Sequence, residues 1–220
     1  MPPRSAPPLP PDPDLVERLR RRDDAAFAAV VDAWSTGMLR VARGFVSTAA
    51  SAEEVVQDTW LAVIQGLDGF AGRSSLKTWV FRILVNTAKR RGARESRTVP
   101  WSGLPTADDV GPTVDPSRFL GPGHEWAGHW RQFPAHWPRP DQAALDGEVR
   151  ERAAAALAGL PERQRVVITL RDVEGYTSDE VCLILEISAA NQRVLLHRAR
   201  AAARAVLERY FAEAETEVMT

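Results

Sequence analysis

The sequence predicts an all-α protein of two helical domains joined by a long irregular linker, and three observations carry that prediction. Segments rich in Ala, Leu, Arg and Glu place apolar residues at helical spacing, without the alternating β-branched runs and Asn-Gly turns of strands. Prolines crowd into two stretches, seven of the sixteen in residues 1–13 and eight from Pro100 to Pro140, the second together with five glycines. The 220 residues, 45% hydrophobic, suffice for one or two ordinary cores. The expected divisions are a disordered Pro-rich tail over 1–14, a helical domain over 15–98, a Pro/Gly/Trp-rich linker over 99–144 and a second helical domain over 145–214.

Composition excludes several classes. The longest apolar run, around Ala153 to Leu160, is far shorter than the roughly 20 residues that cross a bilayer. The start, Met1-Pro-Pro-Arg4, lacks the apolar core of a signal peptide, so a cytoplasmic protein without membrane insertion is expected. A single cysteine, Cys182, excludes an internal disulfide framework and a multi-cysteine zinc site. It reads as a small core residue of a short helix. No Ser/His/Asp, Cys/His or paired-carboxylate constellation is recognisable, so neither catalysis nor a cofactor is expected. The balance of 28 basic against 29 acidic residues hides an asymmetry. Residues 73–97 carry eight basic side chains against Glu95 alone, and residues 189–209 carry five arginines against Glu208 alone. One such run is an ordinary solvated helix face; two on different domains of an otherwise acidic chain are the footprint of phosphate binding.

In the first domain Ser51-Ala-Glu-Glu54 reads as a capping box, followed by a core stripe of Val56, Trp60, Val63, Ile64 and Leu67. Its other side carries Glu53, Glu54, Gln57 and Asp58, either a solvated acidic face or a docking surface for a basic partner. The Glu54/Asp58 repulsion costs a few tenths of a kcal/mol, partly offset by the helix N-terminus. The loop Gly69-Phe-Ala-Gly-Arg-Ser-Ser75 precedes a helix with Leu76, Trp79, Val80, Ile83 and Thr87 on its buried stripe. Arg82, Asn86 and Lys89 share the opposite side. That ridge is either a plain polar exterior or a grip for a nucleic-acid backbone, with an unstacked base held in the loop beside Phe70.

In the second domain Pro161 stands at a helix start, Gly175 ends the helix, and Thr177-Ser-Asp-Glu180 is a second capping box. A brief turn, Glu186-Ile-Ser188, leads into a long Arg-rich helix capped by Ser188. Helix, tight turn and basic second helix make the helix-turn-helix pattern, against the alternative of a plain helical hairpin. Leu196, Ala199, Ala203, Val206 and Tyr210 fall on the inner side of the last helix. Arg193, Val194, His197, Arg200 and Arg204 point outward, with Asn191 and Arg198 at the flank, a chemistry suited to the major groove.

These residues resemble the sigma-70 family of bacterial transcription initiation factors, in its extracytoplasmic-function group. Ala52-Glu-Glu-Val-Val-Gln-Asp-Thr-Trp-Leu61 is similar to the family's segment that binds core RNA polymerase, which implies that role for Glu54, Gln57, Asp58 and Trp60. The helix from Leu76 to Arg90 is similar to the −10 reader, which implies promoter contacts by Phe70, Arg73, Ser74, Arg82, Asn86, Lys89 and Arg90. Leu160 to Arg200 is similar to the −35 reader, which implies DNA contacts by Asn191, Arg193, Val194, His197, Arg198, Arg200 and Arg204. Two departures stand out: Glu186 where many relatives have Gly, and Ala189-Ala-Asn-Gln192 in place of a Val-Gly-Thr-Val-like start, with Gln192 on the side normally buried. The implied partners are core polymerase and promoter DNA, with a non-catalytic role and no metal or cofactor.

The linker holds four of the seven tryptophans (Trp101, Trp126, Trp130, Trp137) and three of the four histidines (His124, His129, His136). Packing into a groove, on polymerase, on the chain itself or on an anti-sigma partner, suits them better than a metal site. Two rival functions remain at this level: a helix-turn-helix regulator with a helical sensor domain, which needs a ligand pocket in 15–98, and an all-helical protein-binding adaptor.

Overall fold

The computed structural model describes the backbone of residues 9–95 and 145–218, with side chains over 9–95 and 151–210. The expectations for the linker tryptophans and histidines lie outside these residues. Every regular element described is helical: α1 (Asp12–Arg20), α2 (Asp24–Ala42), α3 (Ala49–Gly66), α4 (Leu76–Glu95), α5 (Leu145–Ala158), α6 (Glu162–Ile168), α7 (Ser178–Leu185) and α8 (Ala189–Val218). A 3-10 turn, Leu67–Gly69, follows α3, and a wide π turn, Thr169–Val173, follows α6. The chain forms two compact units, whose described parts are 9–95 with 169–189, and 145–168 with 190–218. No helix among the described residues is long and apolar enough to cross a membrane.

The first unit begins earlier than proline crowding suggests. Helix α1 starts at Asp12 inside the expected tail, because proline is well tolerated in a first helical turn and Leu15, Val16 and Leu19 bury an apolar face. Asp12 itself is fixed by a partner 64 residues away: its Oδ2 accepts a hydrogen bond of 2.6 Å from the Leu76 amide, one of the orphan donors at the start of α4.

Helix α3 also starts early. Its N-cap is Thr48, whose hydroxyl accepts from the Ser51 amide at 3.1 Å, so Ser51 lies inside the first turn and the expected capping box is not formed. Ala49 and Ala50, strong helix formers, extend the helix back to the earlier cap. Val55, Val56, Thr59, Trp60 and Val63 are buried, and Trp60 stacks on Trp34 and meets Phe27 edge-on, with centroids at 6.4 and 5.6 Å. Ile64 leaves the core stripe and is 54% exposed, since it lies one helical step beyond Val63, past the arc the neighbouring helices cover.

Helix α4 is covered on more than one side, by α2 and α3 and, within the same unit, by α7. Phe81, Leu84, Val85 and Ala88 are therefore buried beside Leu76, Val80 and Thr87, while Trp79 and Ile83 of the expected stripe are only half-buried. At Gly92 a Cβ would sit 2.2 Å from the Phe45 carbonyl oxygen. The helix approaches that backbone so closely that only glycine fits.

In the segment 169–189, which groups with the first unit, the turn and cap signals of the sequence hold. Gly175 takes a left-handed φ of +76°. Thr177 and Glu180 form a reciprocal capping box. Tyr176 packs against Phe81 with ring centroids at 5.2 Å, and its buried hydroxyl has no hydrogen-bond partner. Burial, reinforced by the charges of Glu174 and Glu180, pushes its phenol above the ordinary range. Cys182 is half-buried rather than a core residue.

In the second unit Val166, Val167 and Ile168 of α6 are buried, as are Ala156, Leu160, Leu195, Leu196 and Ala199. Pro161 stands just before α6, and its carbonyl accepts from the Arg165 amide at 3.0 Å. The Arg152 guanidinium lies 5.2 Å from the Tyr210 ring centroid.

Candidate nucleic-acid interface

On α3, Glu53, Glu54, Gln57 and Asp58 are all exposed, as the wheel required. The structure separates their electrostatics. Glu54 is paired with Arg91 of α4 at 2.5 Å, and Arg91 also pairs with Glu95 at 2.9 Å. Asp58 has no ion pair among the described residues. Because α3 begins at Ala49, Glu54 and Asp58 lie beyond its first turn, and Arg91 rather than the helix dipole relieves their repulsion. Trp60, included with this face from the family motif, is 8% exposed and belongs to the aromatic core. Residue-type patterning overlooked Leu61, 58% exposed, which lies between Gln57 and Asp58 on the same face, and Ile64 beside Gln57.

Glu95 anchors this corner. It accepts from the Ser47 amide and hydroxyl at 3.1 and 2.9 Å. Hydrogen bonding by the Ser51 hydroxyl, then by Ser47 and Arg91, lowers its carboxyl from the ordinary 4.5 to about 2. A depressed carboxylate contributes stability that is complete above its unfolded pKa and is lost as pH falls toward its folded one. Glu95→Gln is therefore expected to be less stable than the parent at neutral pH, with the gap closing between about pH 4.5 and 2. Denaturant midpoints across that range check it; a gap that does not change with pH contradicts the assignment.

Of the residues expected at the −10 element, Arg73 and Arg90 are exposed, and Ser74 is half-buried. Phe70 is half-buried against Trp79, with centroids at 5.2 Å, and its carbonyl accepts from Arg20 at 2.8 Å. Helix α1 thus holds the loop by its backbone. The ridge of Arg82, Asn86 and Lys89 is not an open exterior. Arg82 donates twice to Glu186 Oε1, at 2.6 and 3.0 Å. Lys89 Nζ donates to the Leu185 carbonyl at 3.0 Å, and Asn86 is half-buried.

Helices α7 and α8 are separated by three residues, 186–188, the helix-turn-helix order. Glu186 takes φ 59° and ψ 48°, the left-handed conformation for which glycine is the unstrained choice. On α8, Arg193, Arg200 and Arg204 are exposed, whereas Asn191, Val194, His197 and Arg198 are half-buried. The outward face is narrower than the wheel predicts, and His197 does not stand fully clear. Gln192 is 1% exposed, and its amide nitrogen has no hydrogen-bond partner.

The ligand pocket that the sensor reading requires, invisible in the sequence, has a physical counterpart: a cavity of about 310 Å³ walled by Phe27, Val30, Trp34, Trp60 and Val63. The buried Trp60 Nε1 has no hydrogen-bond partner.

Known proteins decide between the readings. The family profile described as Sigma-70 region 2 matches residues 30–98, and that described as Sigma-70, region 4 matches residues 150–202. The chain is 29% identical over 203 residues to the RNA polymerase sigma-H factor of Pseudomonas aeruginosa, covering 92% of this chain and 97% of that one. It is 28% identical over 188 residues to the ECF RNA polymerase sigma-E factor of Escherichia coli, covering 86% of this chain and 90% of the other. In fold it is similar to CnrH, solved with the cytosolic domain of CnrY, with a TM-score of 0.55 at 22% identity over 89% of this chain and 96% of that one. It is likewise similar to the sigma factor RpoE of Bartonella quintana, solved with the anti-sigma factor NepR, with a TM-score of 0.53 at 22% identity over 82% and 96%. With both regions present in order and relatives of the same length, the chain belongs to the sigma-70 family, in its extracytoplasmic-function group.

Proposed function

We propose that the chain is the promoter-selecting subunit of RNA polymerase, with its work divided between 15–98 and 145–214 and joined through 99–144. The observation that carries this assignment is the open face of α3, where Asp58, Gln57 and the apolar Leu61 are exposed together. An apolar centre rimmed by uncompensated acid is the composition of a docking surface for a basic partner helix. Core polymerase binds there. Arg73, Ser74, Arg82, Asn86, Lys89 and Arg90 hold the −10 strand, with one unstacked base in the loop beside Phe70, so that pocket contacts offset the loss of stacking. The chain itself catalyses nothing and acts where RNA polymerase acts, in the cytoplasm. The E. coli and P. aeruginosa relatives carry RNA polymerase in their names, and the RpoE structure pairs a sigma factor with an anti-sigma protein, which makes an anti-sigma factor a second candidate partner.

Run-off transcription with purified core enzyme tests the proposal: only an initiation factor makes core start at defined positions. The cavity beside Trp60 favours one other reading, a ligand-sensing regulator, which binds duplex DNA without core and starts no transcript.

On α8 the exposed Arg193 and half-buried Val194 occupy the first turns, where a recognition helix meets base edges, and Arg204 lies toward the backbone. Arg193→Ala is expected to relax the selected −35 sequence by about 1 to 3 kcal/mol of discrimination at one position. Arg204→Ala should weaken all promoters alike and lower the salt slope by about one unit. Promoter-library selections that leave the consensus intact for Arg193→Ala and alter it for Arg204→Ala reverse the assignment.

A further inference from the structure

Promoter selection makes no use of the cavity inside the first unit. Helices α1 to α4 all wall its volume of about 310 Å³, through Leu19, Val30, Trp34, Trp60, Val63 and Val80. These side chains are at most 8% exposed, and none is ionisable. The charged residues along it fall into two groups. Arg22, Asp24 and Asp68 are exposed and stand with Ile64 at the mouth. Arg20 and Asp23 are committed within the fold: Arg20 donates to the Phe70 carbonyl at 2.8 Å, and Asp23 pairs with Arg18 at 2.8 Å and accepts from the Ala26 amide at 3.1 Å. A charged guest would therefore lose its hydration against an apolar wall with no counter-ion, whereas an uncharged one loses little.

Three features set the chemistry of the guest. An apolar cavity of about 150 Å³ is enough for benzene, so about twice that volume takes about two fused rings. The Trp34 and Trp60 rings lie 13° from parallel, and such aromatic surfaces favour a planar molecule. The Trp60 Nε1 donor is buried and has no hydrogen-bond partner among the described residues, which is costly in an apolar interior. Protein interiors rarely keep so large a void, because its lining forfeits contacts on one side. We propose that the cavity is a binding site for an uncharged planar aromatic molecule of about two fused rings, whose acceptor atom receives a hydrogen bond from Trp60 Nε1.

The test uses the full chain labelled with nitrogen-15 at tryptophan, with the Trp60 indole signal assigned by Trp60→Phe. The probes are quinoline, whose ring nitrogen is an acceptor, and naphthalene, which has the same size and no acceptor. Quinoline is expected to bind saturably below about 1 mM, to shift the Trp60 signal and to raise the unfolding temperature. Naphthalene should bind about two- to tenfold more weakly, the worth of one net hydrogen bond. Trp60→Phe keeps an aromatic wall without the donor and should erase that preference. Val30→Phe, which fills the cavity with its own ring, should abolish binding of both probes; Val63→Leu, a smaller filling, should weaken both if Val30→Phe does not fold. A Trp60 signal that neither probe shifts, or binding that is unchanged in a folded cavity-filling variant, overturns the site. Equal affinity of the parent for the two probes overturns the hydrogen bond from Trp60. Run-off transcription by the parent chain is read separately, so a failure of ligand binding leaves the function proposed above standing and a failure to initiate leaves the site standing.

Discussion

Asp58→Arg is expected to weaken binding to core RNA polymerase by about 2 to 5 kcal/mol, the range for breaking a desolvated interfacial charge pair. The structure singles out Asp58 within its acidic face. Glu54, on the same face, already has Arg91 as an internal counter-ion at 2.5 Å, so its loss mixes binding with stability. Asp58 is exposed and makes no ion pair among the described residues, so its reversal should leave the fold intact. Asp14→Arg, an exposed reversal on α1, controls for the change in net charge. Core affinity measured by labelled-factor titration separates the two. Equal affinities for Asp58→Arg, Asp14→Arg and the parent, with unchanged thermal unfolding, remove α3 from the interface.

The largest stability effect is expected at Gly92. Helix propensity alone predicts that alanine in the interior of α4 stabilises by about 1 kcal/mol. The added Cβ would meet the Phe45 carbonyl oxygen at 2.2 Å, and a backbone carbonyl cannot rotate aside as a side chain can. Overpacking costs about 1 to 3 kcal/mol, and so short a contact with a fixed carbonyl belongs at the upper end, so after the propensity gain Gly92→Ala should lose about 2 kcal/mol net. The sign decides the matter. A denaturant midpoint that rises means that α4 and the Phe45 turn are free to separate.

Much of the architecture was legible from local chemistry. Thr177 and Glu180 cap α7 as spaced, Gly175 adopts the left-handed turn its position requires, and the Arg-rich helix follows a three-residue turn. These features depend on neighbours a few residues apart, whose distances the covalent chain sets. The faces of α3 were readable for the same reason: Val56, Trp60 and Val63 went inward, and Gln57 and Asp58 stayed out.

Where sequence reasoning erred, distant partners decided. Proline density marked Asp12 as tail, but its carboxylate supplies a hydrogen bond to the start of α4 across 64 residues. At the start of α3 the cause is local instead: Ser51 matches a cap motif as well as Thr48 does, and the helix-forming Ala49 and Ala50 between them carry the helix back to the earlier cap. A helical wheel treats α4 as having one buried side, yet the cover of α7 buries Phe81 and ties the basic ridge of Arg82 and Lys89 to Glu186 and Leu185. The sequence by itself determined the all-helical class, the polarity of the α3 faces and the family resemblance, because each depends on residue type at short spacing. Which charges are free to meet a partner was decided by the tertiary structure alone, because an ion pair between residues 82 and 186 depends on distances in space that chain order does not encode.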